Sequence, residues 1–158
     1  FVHRLGGVVD QVIPEINSVE TLLLNIKTVE QIRVEARKIC ASALAFRDNQ
    51  ANNQYAAVTQ EAKSYISDHF ANPDLSLNEV AAHVNLSASH FSAVFSRETG
   101  ETFKEYLTGV RIEKAKELLK TTGLKTFEIA YQVGYKDPHY FSAVFKKQTG
   151  LSPSEFKL

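Results

Sequence analysis

Small and polar side chains recur at helical spacing in two segments that lie 50 residues apart. The two sets are Ser89, Ser92, Ala93 and Ser96, and then His139, Ser142, Ala143 and Lys146. Hydroxyl, imidazole and methyl groups can approach the donors, acceptors and thymine methyl groups that base pairs expose in the major groove of DNA. The pattern therefore favours contact with base edges, although an ordinary solvent-exposed helix face can have the same composition.

Both sets are interleaved with the pentapeptide FSAVF, which occurs at 91–95 and at 141–145 and is followed after three residues by Thr-Gly. Upstream, the tripeptide at 79–81 resembles that at 128–130 with an offset of 49, so one residue has been added before the second pentapeptide. Self-similarity of this kind indicates an internal duplication. An ordinary solvent-exposed helix face does not usually keep the same residues in two copies. The duplication therefore favours a functional role for these faces.

The first copy predicts two short helices. Ser76 with Glu79 three residues later is a capping-box pattern that opens a helix through Val84. After a short turn, Ser87 is the next N-cap, and the second helix ends before Gly100. Two short helices joined by a tight turn match the helix-turn-helix motif, whose second helix enters the major groove.

The second copy predicts the same arrangement. Thr126 is the expected N-cap of its first helix, and Gly134 begins the turn. Asp137-Pro138 is a strong signal for the start of the second helix, which ends before Gly150. In both second helices the large apolar side chains are expected in the core: Phe91, Val94, Phe95, Phe141, Val144 and Phe145.

Residues 102–122 predict one amphipathic helix between the copies, about 30 Å long at ~1.5 Å per residue. The side chains expected to point inward are Phe103, Leu107, Val110, Ala115 and Leu118. The basic residues Arg111, Lys114, Lys116 and Lys120 alternate with Glu113 and Glu117, which predicts a solvated face with i,i+3 and i,i+4 pairs.

The amino-terminal third has a different pattern. Residues 1–50 read as a helical segment with an apolar run from Val19 to Ile39, and the polar stretch 47–53 is the best candidate linker. From Tyr55 a new helix is expected, with an apolar stripe that includes His69 and Phe70. We therefore predict an all-α protein with a helical segment over 1–50 and two helix-turn-helix subdomains, joined by a long helix, over 51–158.

Charge alone does not favour nucleic acid. The chain has a formal net charge of zero, and residues 61–158 carry 12 basic and 12 acidic side chains, whereas DNA-binding domains are usually basic. A protein-interaction module, in which the paired helices hold a partner protein, thus remains the alternative. Contact with DNA requires Arg97, Lys146 and Lys147 to lie on the rim of the same surface as Ser89 and His139.

Other classes find no support in the sequence. The one cysteine, Cys40, is expected to be a buried small apolar residue in a reducing compartment, which favours the cytoplasm. The five histidines show no metal-ligand spacing, and no phosphate loop or catalytic pair is present, so we expect no cofactor, no metal and no enzymatic activity. No run of 18 apolar residues occurs. The absence of methionine suggests a fragment of a longer protein.

Three segments carry a family resemblance: LSLNEVAAHVNLSASHFSAVFSRETG, FKEYLTGVRIEKAKELLKTT and FEIAYQVGYKDPHYFSAVFKKQTGLSPSEF. Residues 61–158 resemble the DNA-binding domain of the AraC/XylS family of bacterial transcription regulators. The resemblance implies seven helices and two recognition helices that enter successive major grooves of double-stranded DNA. It also implies an activator that works with RNA polymerase. The stretch just upstream resembles YesN-type response regulators of two-component systems, which carry an amino-terminal receiver domain.

We expect base contacts from Ser89, Ser92, Ala93, His139, Ser142 and Ala143. Backbone contacts are expected from Ser87, His90, Ser96, Arg97, Tyr140, Lys146 and Lys147. Ala93 and Ala143 stand where the family often has arginine, and Ser96 stands where lysine is common. These departures predict modest affinity for an isolated domain. We accordingly expect residues 1–50 to strengthen binding, either as a homodimer or by relaying an upstream signal that causes dimerisation.

Overall fold

The computed structural model describes residues 27–157, without the side chains of 50–52, and every regular element in that range is a helix. The helices are α1 (Val29–His69), α2 (Leu77–His83), α3 (Ala88–Thr99), α4 (Phe103–Thr121), α5 (Thr126–Gln132), α6 (Pro138–Thr149) and α7 (Pro153–Phe156). The all-α prediction is therefore confirmed. No helix of the described range combines the length and the apolar character that crossing a membrane requires.

The chain divides into two compact units, residues 1–54 and 55–158. The stretch 47–53, predicted as a linker, lies within α1, so the prediction of a new helix at Tyr55 was wrong, although the division between the two units falls just after this stretch. It contains no glycine or proline, and its polar residues lower helix propensity by only a few tenths of a kcal/mol each. Of the apolar run predicted from Val19 to Ile39, residues 19–26 lie outside the described residues.

None of the residues 27–49 is buried. Val29, Ile32, Val34 and Leu44 are all exposed. Cys40 is exposed as well, so the prediction that it is buried was wrong. Cys40 lies on the exposed side of α1, whereas Ile39 beside it is partly buried.

Residues 55–158 form two lobes, each with its own hydrophobic core. The first lobe comprises the end of α1, α2, α3 and the first half of α4; the second comprises the rest of α4 with α5, α6 and α7. The buried residues of the first core are Ala62, Ile66, Leu75, Val80, Ala81, Val84, Phe91, Phe95, Phe103 and Leu107. Those of the second core are Ile112, Ala115, Leu119, Ile129, Ala130, Val133, Tyr135, Phe141 and Phe145. Phe70, partly buried, packs against both.

The two lobes repeat the same local structure. α3 and α6 have 12 residues each, and both end at a glycine in the left-handed conformation, Gly100 (φ 80) and Gly150 (φ 82). The preceding threonine in each copy, at 99 and at 149, donates its hydroxyl to the carbonyl four residues earlier. The turns also correspond, because Asn85 (φ 56) and Gly134 (φ 86) both adopt positive φ. The predicted duplication is thus confirmed at the level of backbone conformation.

Two predicted caps differ in detail. Ser76 accepts from the Glu79 amide at 3.3 Å as expected, but the Glu79 carboxylate accepts from the Tyr65 hydroxyl at 3.1 Å. In a complete capping box the Glu79 carboxylate would accept from the backbone amide of Ser76, but here it accepts from Tyr65 instead. Thr126 is the first residue of α5 and not its cap; the cap is Lys125, whose amide donates to the Glu128 carboxylate at 2.6 Å.

The buried face of α4 changes along the helix. Phe103, Leu107 and Ala115 are buried as predicted, but Val110 and Leu118 are only partly buried, while Ile112 and Leu119 are fully buried instead. The reason is that the two halves of α4 serve different cores, so the apolar stripe shifts around the helix near its middle.

Candidate nucleic-acid interface

α3 and α6 each turn one side to a core and the other to solvent. Phe91 and Phe95 of α3 and Phe141 and Phe145 of α6 are fully buried, whereas Val144 is only partly so. Complete burial of each phenylalanine contributes about 1.5–3 kcal/mol. The four rings therefore fix the rotation of both helices about their own axes.

The opposite faces carry the residues predicted to contact bases. Ser89, Ala93, His139 and Ala143 are exposed, and Ser92 and Ser142 are partly buried. The Ser142 hydroxyl donates to the Pro138 carbonyl at 2.9 Å, and its oxygen can still accept a hydrogen bond. The His139 backbone amide donates to the Asp137 carboxylate at 2.8 Å.

The start of each helix is fixed by a side-chain cap. Ser87 accepts from the His90 amide at 3.3 Å and lies 3.4 Å, oxygen to oxygen, from the Ser89 hydroxyl. Asp137 caps α6, and Pro138 occupies its first turn. Uncapped amides at the start of a helix, together with the helix dipole, can bind a phosphate.

The basic residues lie beside these faces. At about 100° per residue, Arg97 lies roughly 80° from Ser89, and Lys147 lies roughly 80° from His139, so both occupy equivalent rims. Lys146 falls within the exposed face of α6, where α3 has Ser96. All three basic residues are exposed, while Ser96 is partly buried. Arg97 and Lys147 thus lie on the rim that was expected for contact with DNA, whereas Lys146 lies within the face itself.

Arg97 and Lys147 differ in their surroundings. Arg97 makes two hydrogen bonds to Glu98, of 2.8 and 3.0 Å, and its guanidinium carbon lies 4.7 Å from the centre of the Tyr55 ring. The same ring lies edge-on to His90 at 5.8 Å. No partner is described for the side-chain amine of Lys147. α6 contains no acidic residue, so its exposed face is locally basic although the chain is neutral.

Tyr140 stands at the α6 position that matches His90. It is 55% exposed, and its ring centre lies 6.1 Å from that of the buried Tyr135. A phenol in that setting has an exposed hydroxyl that can donate to a phosphate oxygen. Every residue predicted for base or backbone contact is therefore at least partly accessible on α3, on α6 or at their caps.

The prediction that Arg111 lies on the solvated face of α4 was wrong. Lys114 pairs with Glu117 at 2.8 Å and Lys116 with Glu113 at 2.7 Å, as predicted for a solvated face. Arg111 instead donates to the carbonyls of Phe70 at 2.9 Å and Asn72 at 2.8 Å. The signal was available, since Arg111 lies four residues from both Leu107 and Ala115, which are buried on the inner side of α4.

Burial affects the ionisation of this region. The pKa of Arg111 is lowered because the guanidinium is desolvated, and the pKa of Tyr135 is raised chiefly by its own burial. The guanidinium carbon of Arg111 lies 5.4 Å from the centre of the Tyr135 ring. A charged arginine is retained there because two carbonyl oxygens and an aromatic face compensate for the lost water.

Comparison with known proteins agrees with this geometry. A family model described as a helix-turn-helix domain matches residues 80–158, half of the chain. The arabinose operon regulatory protein of Escherichia coli (strain K12) is 44% identical over 98 residues, which are 62% of this chain and 34% of that protein. The chain belongs to the AraC/XylS family of transcription regulators.

One of the solved structures that the chain resembles is part of a response regulator. The solved C-terminal domain of AraT, a response regulator from Geobacillus stearothermophilus, is 43% identical, has a TM-score of 0.62, and matches over 63% of this chain and 83% of its own. The transcriptional regulatory protein YesN of Bacillus subtilis (strain 168) is 41% identical over 105 residues, 65% of this chain and 28% of YesN. The chain spans about a third of the length of the first curated relatives that it matches. The family's helix-turn-helix domain binds DNA.

Proposed function

We propose that residues 51–158 bind a specific DNA sequence by inserting α3 and α6 into successive major grooves. The observation that supports this proposal is that two helices of the same length, with the same glycine C-cap, belong to the two lobes that α4 connects. Both also expose a serine or histidine in the first turn and an alanine four residues later. α4 has 19 residues and is about 28 Å long, which suits grooves one helical turn (~34 Å) apart.

In this proposal the two lobes have different tasks. Lys146 and Lys147 make α6 the stronger electrostatic anchor, because phosphate contacts supply most of the nonspecific affinity for DNA. α3 has only Arg97, which is already paired with Glu98, so it reads bases through Ser89 and Ser92 and through methyl contacts from Ala93. The zero net charge of the chain is compatible with this division, because the charge is placed locally.

The whole protein, we further propose, is a bacterial response regulator that activates transcription together with RNA polymerase. Residues 1–50 would belong to an upstream signalling or dimerisation region, as in the two-component relatives. Since its partner is chromosomal DNA, it would act in the cytoplasm.

Selection of bound duplexes from a random DNA pool tests the function directly. The proposal expects an enriched site with two short conserved blocks whose centres are about one helical turn apart. Enrichment of no sequence, at both low and moderate salt, would favour the protein-interaction module, to which the neutral charge also points.

The first prediction concerns His139, which is exposed in the first turn of α6. His139→Ala is expected to weaken binding to the selected site by about 1–3 kcal/mol while binding to random duplexes changes little, because a base contact discriminates between sequences. Competition titrations on both DNAs measure the difference. His83→Ala, an exposed histidine of α2, is the matched control and should change neither. Equal losses on both DNAs would mean that His139 touches only the backbone.

The second prediction concerns phosphate contacts. Lys147→Ala and Arg97→Ala are each expected to weaken binding to all sequences alike and to reduce the slope of log affinity against log salt by about 0.9. Titration at four or more salt concentrations gives the slope. Lys114→Ala, which removes an exposed lysine paired within α4, controls for the change in net charge. A slope that stays at the wild-type value would show that the replaced side chain is merely solvated.

A further inference from the structure

Apart from α4 itself, the two lobes are joined around one arginine. Its guanidinium binds the carbonyls of Phe70 and Asn72, which lie 41 and 39 residues earlier in the sequence, just before the first helix-turn-helix motif. Its other side faces Tyr135, in the turn of the second motif. Arg111 therefore contacts a segment of each lobe while being carried by the helix between them.

Two further contacts strengthen this junction. Gly134 lets the turn of the second lobe approach closely, because a Cβ atom there would lie 2.6 Å from the Phe70 carbonyl oxygen and 2.9 Å from Arg111 Nη2. Next to it, the Lys136 amine forms an ion pair with Asp74. We define the Arg111 junction as Phe70, Asn72, Arg111, Gly134 and Tyr135.

We propose that Arg111 is a positioning residue that fixes the separation and relative rotation of α3 and α6, and thereby the half-site spacing that the protein accepts. This inference rests on the proposed DNA binding. A guanidinium can hold two carbonyls in a fixed fork and stack on a ring at the same time, which an ammonium cannot do. With this fork, movement of one lobe about α4 requires the loss of two hydrogen bonds from a charged, half-buried donor.

The consequence for DNA is geometric. One inserted base pair moves the second half-site by about 3.4 Å along the duplex and rotates it by roughly 35°. A pair of lobes held by the Arg111 junction cannot follow this displacement without breaking contacts on one side. Lobes joined by α4 alone could follow it by bending or rotating at the middle of the helix.

The position of the lobes can be tested without DNA. In the full chain with Cys40→Ala, spin labels at Ala93→Cys and Ala143→Cys report the distance between α3 and α6 by double electron–electron resonance. We expect a narrow distribution in this background, a broader one with Arg111→Met, and an intermediate one with Arg111→Lys. Lys114→Met, three residues along α4, is the matched control and should leave the distribution narrow. Distributions of equal width in all four proteins would overturn the proposal.

The functional test uses unlabelled full chains and the duplex selected by the wild-type protein, with and without one base pair inserted between its half-sites. We expect the insertion to weaken wild-type binding by about tenfold or more, and Arg111→Met to reduce that ratio to about threefold or less. An unchanged ratio would overturn the proposal. Thermal unfolding verifies that the variant is folded; if Arg111→Met does not fold, Arg111→Lys decides by the same two measurements. The distance measurement involves no DNA. It would therefore still show whether Arg111 fixes the position of the lobes if the protein turned out not to bind DNA.

Discussion

Gly134→Ala is expected to lower the free energy of unfolding of the chain by about 2–5 kcal/mol, combining the cost of a left-handed alanine with that of an overpacked contact. Gly134 has a φ of 86, and its Cβ would meet the Phe70 carbonyl oxygen at 2.6 Å. That oxygen is backbone and already accepts from Arg111, so it cannot move aside without loosening the Arg111 junction. Urea denaturation followed by circular dichroism measures the change.

Two other glycines separate the causes. Gly150 has nearly the same φ, 82, but nothing lies within 4 Å of its Cβ position, so Gly150→Ala should cost only about 1–2 kcal/mol. Gly109 lies inside α4 with open space around it, and Gly109→Ala should stabilise by about 0.5–1 kcal/mol. If Gly134→Ala and Gly150→Ala lower the free energy of unfolding equally, the added methyl group at position 134 is accommodated without loss of stability. The close approach of Gly134 to Phe70 would then not contribute to the stability of the Arg111 junction.

Most of the DNA-binding unit follows from local sequence signals. Ser87, Asp137, Gly100 and Gly150 mark helix ends because capping and left-handed residues act on the backbone within a few positions. The spacing of Phe91 and Phe95 fixes which side of α3 is buried. These features need no knowledge of distant residues, and the structure places them as the sequence predicts.

What the sequence could not provide depends on distant partners. The Arg111 fork joins residues 39 and 41 positions apart, so the spacing of Arg111 from Leu107 and Ala115 can indicate that it faces inward but cannot identify the carbonyls that it binds. Likewise, the contact of Tyr55 with Arg97 links residues 42 positions apart and became visible only when α1 and α3 were placed together. The switch of the buried face within α4 has the same origin, since it depends on the position of two separate cores.

The candidate site shows the same division. Helical periodicity suffices to put Ser89, His139 and their neighbours on exposed faces, whereas the state of each basic group depends on its surroundings. Arg97 contacts Glu98 and Tyr55, so it must give up these contacts to bind a phosphate. Within the described residues, no such contact is found for the Lys147 amine. The effect of Arg97→Ala on affinity should therefore be the smaller of the two.

The largest effect on DNA binding is expected from residues 1–50. Within the described part of this segment, apolar positions alternate at spacings of three and four: Val29, Ile32, Ala36, Ile39, Ala43 and Phe46. This heptad spacing is typical of the seam of a two-stranded coiled coil, and none of these side chains is buried within the chain. We propose that a second copy of the chain covers the seam, which would bring two neutral DNA-binding units to one DNA.

Dimerisation makes the second binding event intramolecular, which can raise avidity about 10²-fold without a new contact. In the full chain, the double variant Ile32→Glu, Ile39→Glu places charges in the seam and is expected to be monomeric and to bind a duplex with two selected sites about 10²-fold more weakly. The matched control, Val34→Glu with Leu44→Glu, adds the same charge outside the seam, at positions that are 42% and 48% exposed. It should keep the dimer and the affinity.

Sedimentation and DNA titration of the same samples decide between these outcomes. Affinity for a duplex with a single site is expected to be equal in the seam variant, the control and the wild type, because each DNA-binding unit is intact. A chain lacking residues 1–50 should behave as the seam variant does. If the wild type is monomeric at the concentrations used and binds the two-site duplex no better than the seam variant, residues 1–50 do not act through dimerisation. The neutral domain must then hold its DNA through the contacts of α3 and α6 alone.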